Sequence, residues 1–204
     1  MKVPKFCQEC SNRFCKSLSD DSRDRLFDNH VWMNFQKKRE QMFFLENKQI
    51  LIIEYGVVGC FRSNGQNRTQ CIDILGPGDL LGCVNLFRGK GREMVEIYPL
   101  TDCGGCLISV KDMEKFIIEN EDICRSMVAQ LSDRYSRLAD NLVSRATGDS
   151  LMRLEYTLNI LREKGVPLEG VSHEVLAMLS GLSRVTVTRT MHTIYRNKPS
   201  SDEE

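Results

Sequence analysis

The sequence predicts an α+β protein with a small β-barrel, a long amphipathic helix and a C-terminal helix-turn-helix. Short apolar runs separated by glycine turns come first, a heptad-like apolar spacing follows, and two capped helical segments then meet at Gly181. The predicted domains are 1–30, a cysteine-bearing arm with a short helix; 31–110, the barrel; 111–146, a linker with the long helix; and 147–204, the helix-turn-helix.

The barrel is predicted from β-type runs that end at turn residues. Residues 50–55 stop at Gly56, residues 57–61 lead into Asn64–Gly65, and a third run covers residues 69–75. The Asn–Gly pair suits a type I′ hairpin, because both central residues of that turn need a positive φ. Several short strands joined by tight turns favour a small barrel or jelly roll.

The long helix is predicted from Glu121 onward, with Asn120 as its N-cap. Its apolar residues alternate at spacings of four and three, which indicates a coiled-coil seam. A single amphipathic helix that packs on its own domain has similar spacing, but we favour a dimerisation helix and a homodimer. The predicted seam consists of Val128, Leu131, Tyr135, Leu138 and Leu142.

The helix-turn-helix is predicted from caps and a glycine turn. Ser172 is expected to cap a helix over residues 173–180, Gly181 to form the turn, and Ser183 to cap a last helix. An arginine near the start of that last helix can donate to a guanine in the major groove. A solvated face in an all-α subdomain is the alternative. The residues expected to contact DNA are Ser183, Arg184, Val185, Thr188 and Arg189.

The composition limits where in the cell the protein is expected to act and what it is expected to bind. The 204 residues include 28 basic and 28 acidic side chains, so any nucleic-acid surface must come from local clustering of charge. Apolar runs such as residues 50–53 are far shorter than the roughly 18 residues of a membrane-spanning helix. Residues 1–7 lack the apolar core of a signal peptide. We therefore expect a cytoplasmic protein with no membrane partner.

Two segments resemble the Crp/Fnr family of bacterial transcription regulators. Residues 73–82 (DILGPGDLLG) are similar to the stretch between the family's sensor-barrel strands, and residues 182–189 (LSRVTVTR) are similar to its recognition helix. The resemblance implies a cyclic-nucleotide-binding-type β-roll (a double-stranded β-helix), a dimerisation helix and a winged helix-turn-helix. It also implies binding to a palindromic operator in double-stranded DNA, with RNA polymerase as a candidate partner. Val185 replaces the family's base-reading glutamate, so we expect a different target sequence.

Cyclic AMP is not the expected effector. In cyclic-nucleotide-binding members a glutamate holds the ribose and an arginine–serine pair holds the phosphate, whereas the matching positions here are Cys83, Glu93 and Met94. A glutamate that faces a phosphate is repulsive, and no arginine replaces the lost contact. Arg92 is one residue away, and one step along a strand turns a side chain to the other face.

Nine cysteines in a cytoplasmic chain favour a metal or redox role over structural disulfides. Three of them, Cys7, Cys10 and Cys15, are close together in sequence, and Cys106 lies near the end of the barrel. Three close thiolates and one distant thiolate can complete the shell of an iron–sulfur cluster. The set resembles that of the oxygen-sensing Fnr branch of the family, which implies a 4Fe-4S cluster that controls dimerisation and DNA binding.

Several alternatives use the same residues. Zinc would take the same thiolates in tetrahedral geometry, and a disulfide of Cys103 with Cys106, or of Cys7 with Cys10, would be a direct thiol switch. Cys103 also competes with Cys106 as the fourth ligand, and Gly104–Gly105 would let a cluster approach the backbone. A thiol oxidoreductase is disfavoured, because such enzymes place their C-x-x-C at a helix start. With no hydrolytic triad in the sequence, we expect no enzyme.

The family's β-hairpin wing is expected to be truncated, because the chain ends soon after Lys198. Fewer contacts to the DNA backbone would then be available. This leaves a different class of function open: a redox-sensing dimer that binds a partner protein and not DNA.

Overall fold

The computed structural model describes residues 13–28, 30–37, 43–44, 48–63, 69–83, 86, 95–146 and 149–197. Over these residues the α+β class and the predicted order of barrel, long helix and helix-turn-helix are confirmed. The strands are β1 (His30–Phe35), β2 (Phe43–Phe44), β3 (Gln49–Tyr55), β4 (Val58–Ser63), β5 (Thr69–Leu75), β6 (Leu80–Leu81), β7 (Glu96–Pro99) and β8 (Cys103–Ser109). The α-helices are α1 (Arg13–Lys16), α2 (Asp20–Asp28), α3 (Val110–Glu119), α4 (Glu121–Ala146), α5 (Ser150–Glu163), α6 (His173–Ser180) and α7 (Arg184–Asn197).

Two four-stranded antiparallel sheets form the barrel. The first sheet has the order β1-β8-β3-β6, and the second has the order β2-β7-β4-β5. Strands β4 and β5 pair as the predicted hairpin, whose Asn64–Gly65 turn lies outside the described residues. Strands β3 and β4 belong to different sheets, and Gly56 between them has a φ of 79°. A Cβ at Gly56 would lie 2.2 Å from the carbonyl oxygen of Asp102, so only glycine fits this corner.

Burial on both faces explains the unbroken apolar run in β3. Ile50 and Ile52 lie on the outer face of the first sheet, where α1, α2, α3 and the first half of α4 cover them. Leu51 and Ile53 lie between the two sheets. Successive side chains of a strand point to opposite faces, so a strand that is covered on both sides has apolar residues at every position.

The helix-turn-helix packs on the outer face of the second sheet. One apolar cluster joins Phe61 and Cys71 of that sheet to Leu158 of α5 and Leu179 of α6. Gly59 of β4 permits the close approach, because a Cβ on it would lie 3.1 Å from Cδ2 of Leu179. The molecule therefore has four layers: helices, sheet, sheet and helices.

Helix α4 runs along β5 and β6, the edge strands of the two sheets. Edge strands expose backbone groups that need partners, and one polar face of α4 supplies them. Gln130 Nε2 donates to the carbonyl of Gly78 (2.6 Å), and Arg145 Nη2 donates to the carbonyl of Cys71 (2.8 Å). We call this face the polar stripe. It consists of Gln130, Arg134, Arg137, Asn141 and Arg145.

Asn120 precedes α4 as predicted, but its side chain does not cap that helix. Its Nδ2 donates to the carbonyl of Phe116 (3.0 Å), and its Oδ1 accepts from Ser22 Oγ (3.2 Å). Asn120 therefore closes the end of α3 and binds α2. Among the helices that the structure describes, none has the length and apolarity to cross a bilayer.

Candidate DNA interface and cysteine site

Helices α6 and α7 form the predicted helix-turn-helix. Ser172 Oγ accepts the backbone N–H of Val175 (3.3 Å) at the start of α6. Gly181 ends that helix in the left-handed conformation, with a φ of 66°. Ser183 Oγ then accepts the backbone N–H of Thr186 (3.0 Å) at the start of α7. The caps and the turn occur at the residues that the sequence indicates.

The outer face of α7 is open and basic. Val187 and Met191 are buried against α5 and α6, whereas Val185 is 76% exposed and Arg184 and Arg189 are exposed. The sequence of α7 contains three arginines and no carboxylate. A chain with no net charge therefore presents a local basic surface at this helix.

Besides Ser183, two more of the predicted DNA-contacting residues, Arg184 and Thr188, have partners within the protein. Arg184 Nε lies 2.7 Å from Glu174 Oε1, and because both side chains are exposed, this ion pair is weak and can be exchanged. Hydrogen bonding to its own backbone N–H, together with Arg184, lowers the pKa of Glu174. The Thr188 hydroxyl donates to the carbonyl of Arg184 (3.1 Å) and lies 2.9 Å from His173 Nδ1. Because the hydroxyl of Thr188 already has these partners, its methyl group is the part of the side chain that is available to contact DNA.

The predicted seam of α4 lies on a face separate from the polar stripe. Val128, Tyr135 and Leu142 are 57%, 75% and 68% exposed, and Leu138 is also exposed. Leu131 is half-buried against the cluster on the first sheet. A continuous row of exposed apolar side chains on one long helix is typical of a protein interface.

Two of the four predicted cluster ligands are buried in one apolar cluster. Cys15 of α1 and Cys106 of β8 are 2% and 3% exposed and belong to the same apolar cluster on the first sheet. Cys7 and Cys10 lie outside the described residues. Within the described part of the chain, no three His, Cys, Asp or Glu residues are placed to hold a metal. Both thiols therefore lie in the same apolar layer outside the first sheet.

Cys103 lies on the other side of the sheet from Cys106. Both residues lie within β8 and three positions apart, so their side chains point to opposite faces of the sheet. Their Cα atoms are about 10 Å apart at the usual rise of a strand, which exceeds the reach of a disulfide. The predicted Cys103–Cys106 switch is therefore wrong. Burial, with Asp102 nearby, raises the pKa of Cys103 to about 12.

The expected opening at Gly104–Gly105 is also wrong. A Cβ on Gly105 would lie 2.0 Å from the carbonyl oxygen of Ile52, and one on Gly104 would lie 2.7 Å from Cε1 of Tyr55. These glycines let β3 and its side chains approach β8. Protein therefore fills the space directly above the two glycines.

Hydrogen bonds attach the Cys15 segment to α4. Ser17 Oγ donates to Ser126 Oγ (2.7 Å), and the backbone N–H of Ser19 donates to Asp122 Oδ2 (2.7 Å). Ile123 and Met127 of α4 lie in the same apolar cluster as Cys15 and Cys106. A displacement of α1 would therefore act directly on α4.

A chain of alternating charges, which the sequence analysis missed, joins the barrel to α4 and α5. Asp73 Oδ2 lies 2.8 Å from Arg134 Nε, and Asp73 Oδ1 lies 3.7 Å from Arg137 Nε. Arg137 Nη2 is 3.7 Å from Asp79 Oδ1, and Lys164 Nζ is 2.5 Å from Asp79 Oδ2. Burial raises the pKa of Asp73 although both arginines lower it. The regular helical spacing of the polar stripe is the signal that could have revealed this network.

Comparison with known proteins agrees with this architecture. No family model matches the sequence. The cyclic AMP receptor protein of Thermus thermophilus is 28% identical over 148 residues, which cover 71% of this chain and 67% of that protein. The structure of the c-di-GMP-responsive global regulator CLP from Xanthomonas campestris has a TM-score of 0.71 at 18% identity, covering 88% of this chain and 93% of that chain. The chain has the fold of the Crp/Fnr regulators. A Crp/Fnr regulator from Eubacterium rectale superposes with a TM-score of 0.68 at 13% identity, over 90% and 87% of the two chains.

The barrel of this chain has little free space beneath α4. Gln130, Arg134 and Arg137 of α4 face Asp79 and Cys83 of the barrel, and the cavity between them measures about 10 Å³. One water molecule needs about 10–15 Å³ on the same scale. The polar side chains of the helix fill this part of the barrel.

Proposed function

We propose that the chain is a dimeric DNA-binding transcription regulator of the Crp/Fnr type. The observation that carries this proposal is the open basic face of α7 with Arg184, Val185 and Arg189. The start of such a helix enters the major groove, where arginine can donate to O6 and N7 of guanine. Two copies would bind a palindromic operator with half-sites about 34 Å apart, and RNA polymerase is a candidate partner of the DNA-bound dimer.

The proposed homodimer uses the exposed seam of α4. The polar stripe of this helix already binds the barrel edges, so the row that includes Val128, Tyr135 and Leu142 is free for a second copy. Pairing along a two-fold axis would bury this row in both protomers. It would also join the two copies of α7 in one assembly, so that each copy can bind one half-site of the operator.

Arg189→Ala tests the proposed DNA contact. The variant should lose about 1–3 kcal/mol of affinity for an operator selected from a randomised palindromic library, because a bidentate guanine contact is removed. Arg125→Ala, an exposed arginine of α4 far from α7, is the matched control and should bind as the wild type does. Gel shifts at several salt concentrations measure both, since specific binding must show counterion release. No shift at low salt with reduced protein would favour the partner-binding alternative.

We further propose that the signal is oxygen or redox state, received by a 4Fe-4S cluster on Cys7, Cys10, Cys15 and Cys106. The shared burial of Cys15 and Cys106 beside α4 supports this assignment. When bound, the cluster supplies an oxygen-sensitive iron centre. The chain supplies thiolates, shields them in an apolar layer and connects them to the dimerisation helix. An intact cluster would favour the DNA-binding dimer, and oxidation would shift the population away from it.

Cyclic AMP is not proposed as the effector. The cavity of about 10 Å³ beneath α4 is far too small for a nucleotide. Arg134 Nε lies 2.8 Å from Asp73 Oδ2, so the charge that could meet a phosphate there is already paired with a carboxylate. Glu93 and Met94, on which the sequence argument also rests, lie outside the described residues.

Iron and acid-labile sulfide content, with a visible spectrum, tests the cluster in protein purified without oxygen. We expect equal amounts of iron and sulfide and an absorbance that air bleaches. Trp32, the single tryptophan, pairs with Cys106 across β1 and β8, so its fluorescence should rise when the cluster is lost. Cys106→Ala should contain no cluster, whereas the matched control Cys103→Ala should retain it. Zinc alone, or no metal with reactive thiols, would contradict the proposal.

A further inference from the structure

The helix-turn-helix is attached to the barrel by polar contacts as well as by shared apolar burial. Lys37 Nζ, just after β1, donates to the carbonyl of Gly170 (3.1 Å), which precedes α6. Two stronger attachments involve Lys164 at the end of α5 and Arg145 at the end of α4. Each of these joins elements from different parts of the chain.

Lys164 holds α5 against the turn between β5 and β6. Its Nζ lies 2.5 Å from Asp79 Oδ2, and both side chains are largely buried. Asp79 Oδ2 also accepts the backbone N–H of Gly76 (2.8 Å), so the turn itself fixes the carboxylate. A Cβ on Gly76 would lie 2.9 Å from Cδ of Lys164, which shows how closely the lysine stem covers this glycine.

Arg145 joins three elements through one guanidinium. Its Nη2 donates to the carbonyl of Cys71 on β5 (2.8 Å) and to the carbonyl of Leu179 in α6 (3.2 Å). Arg153 of α5 donates to the carbonyls of Ser180 and Gly181 (2.9 and 2.8 Å). Two arginines therefore neutralise the negative end of α6, and one of them also binds the barrel.

This attachment leaves the DNA-facing side of α7 open. Leu179 and Cys71 meet on the barrel side of the helix-turn-helix, whereas Val185 and Arg189 are exposed. The attached arrangement is thus compatible with DNA binding. In a dimer it would also fix where each α7 stands relative to the two-fold axis.

We propose that Lys164 and Arg145 are positioning residues that set the half-site spacing this regulator accepts. The proposal rests on the proposed function of DNA binding and adds a determinant of specificity to it. Because the residues hold the helix-turn-helix on the barrel, the distance between the two copies of α7 is a property of the whole dimer. Without these contacts the helix-turn-helix would vary in its orientation relative to the barrel, and the dimer would tolerate other half-site spacings.

Lys164→Met tests the proposal with the least disturbance, because methionine retains much of the stem over Gly76 and removes the charge. Affinity is measured for the selected operator, for the same operator with one central base pair inserted, and for a single half-site. The insertion moves the half-sites apart by about 3.4 Å and turns one relative to the other. For the wild type it should weaken binding by about tenfold or more, because one half-site disengages.

For Lys164→Met, the insertion should weaken binding by less than about threefold, while half-site affinity stays within about twofold of the wild type. Lys164→Arg, which keeps the charge, should restore the discrimination, and Lys115→Met on the exposed face of α3 should keep it. Unchanged discrimination in Lys164→Met would overturn the proposal. A loss of half-site affinity would also overturn it, since damage to α7 itself would then explain the result.

X-ray scattering without DNA separates this proposal from the proposed function. The radius of gyration of Lys164→Met should exceed that of the wild type and of Lys115→Met, because the helix-turn-helix loses one of its attachments and moves further from the barrel on average. If no DNA binding is found but the radius increases, the attachment stands and the DNA-binding function fails. An unchanged radius would show that Lys164 does not hold the domain, and the proposal would be overturned.

Discussion

At the scale of single residues, Asp73 shows what joins the barrel to α4. Its carboxylate is 6% exposed and lies between Arg134 and Arg137. Burial raises the pKa of Asp73, while the two arginines lower it. A buried ion pair adds little net stability, but the loss of one partner leaves a buried charge uncompensated. Asp73 therefore fixes the position of α4 more than it strengthens the fold.

Asp73→Asn should lower the free energy of unfolding by about 3 kcal/mol, because Arg134 then lacks its carboxylate. Urea unfolding monitored by circular dichroism measures the change. Asp140→Asn, which changes an exposed carboxylate of α4, is the control and should change stability by less than about 0.5 kcal/mol. Equal effects of the two substitutions would show that the Asp73 pair is not structurally important.

At the scale of elements, α4 has two functional faces, of which the sequence analysis identified one. The apolar seam was predictable because its spacing stands out against polar neighbours. The polar stripe has a similar period, but polar side chains on a helix usually face solvent. Its role depends on the uncovered edges of β5 and β6, which only the assembled barrel creates.

Local signals and long-range contacts explain which predictions are confirmed. Ser172, Gly181 and Ser183 act through neighbouring backbone groups, so the helix-turn-helix could be predicted from residues a few positions apart. The predicted disulfide of Cys103 with Cys106 was wrong because β8 continues through the two glycines between them, where it pairs with β1 and β3. Nothing in the adjacent sequence reveals those partners.

Leu142→Asp tests whether the exposed apolar seam of α4 forms the proposed dimer interface. A carboxylate at this exposed apolar position would be buried in the proposed dimer, and the dimer dissociation constant should rise by about 100-fold, which corresponds to about 3 kcal/mol. Sedimentation equilibrium measures the constant. Ser136→Asp introduces the same charge at an exposed position off the seam and should leave the dimer intact. A dimer of unchanged strength in Leu142→Asp would place the interface elsewhere.

At the scale of the whole molecule, the candidate sensor and the candidate DNA interface lie on opposite outer layers. Cys15 and Cys106 are on the outer side of the first sheet, and the helix-turn-helix is on the outer side of the second. Helix α4 contacts both layers. Met127 lies in the apolar cluster that contains Cys15 and Cys106, and Arg145 donates to the carbonyl of Leu179 in α6. A signal from the cysteines to the DNA therefore has a physical route along this helix.

Operator affinity before and after exposure to air, in protein purified without oxygen, is the most direct test of this account. Air should weaken binding by the wild type by about tenfold or more as the population shifts from the DNA-binding dimer. Cys103→Ala should respond in the same way. Cys106→Ala should bind weakly throughout and show no response to air. If Cys106→Ala binds the operator as tightly as the wild type and is equally sensitive to air, the proposed coupling between the cysteine site and DNA binding is contradicted.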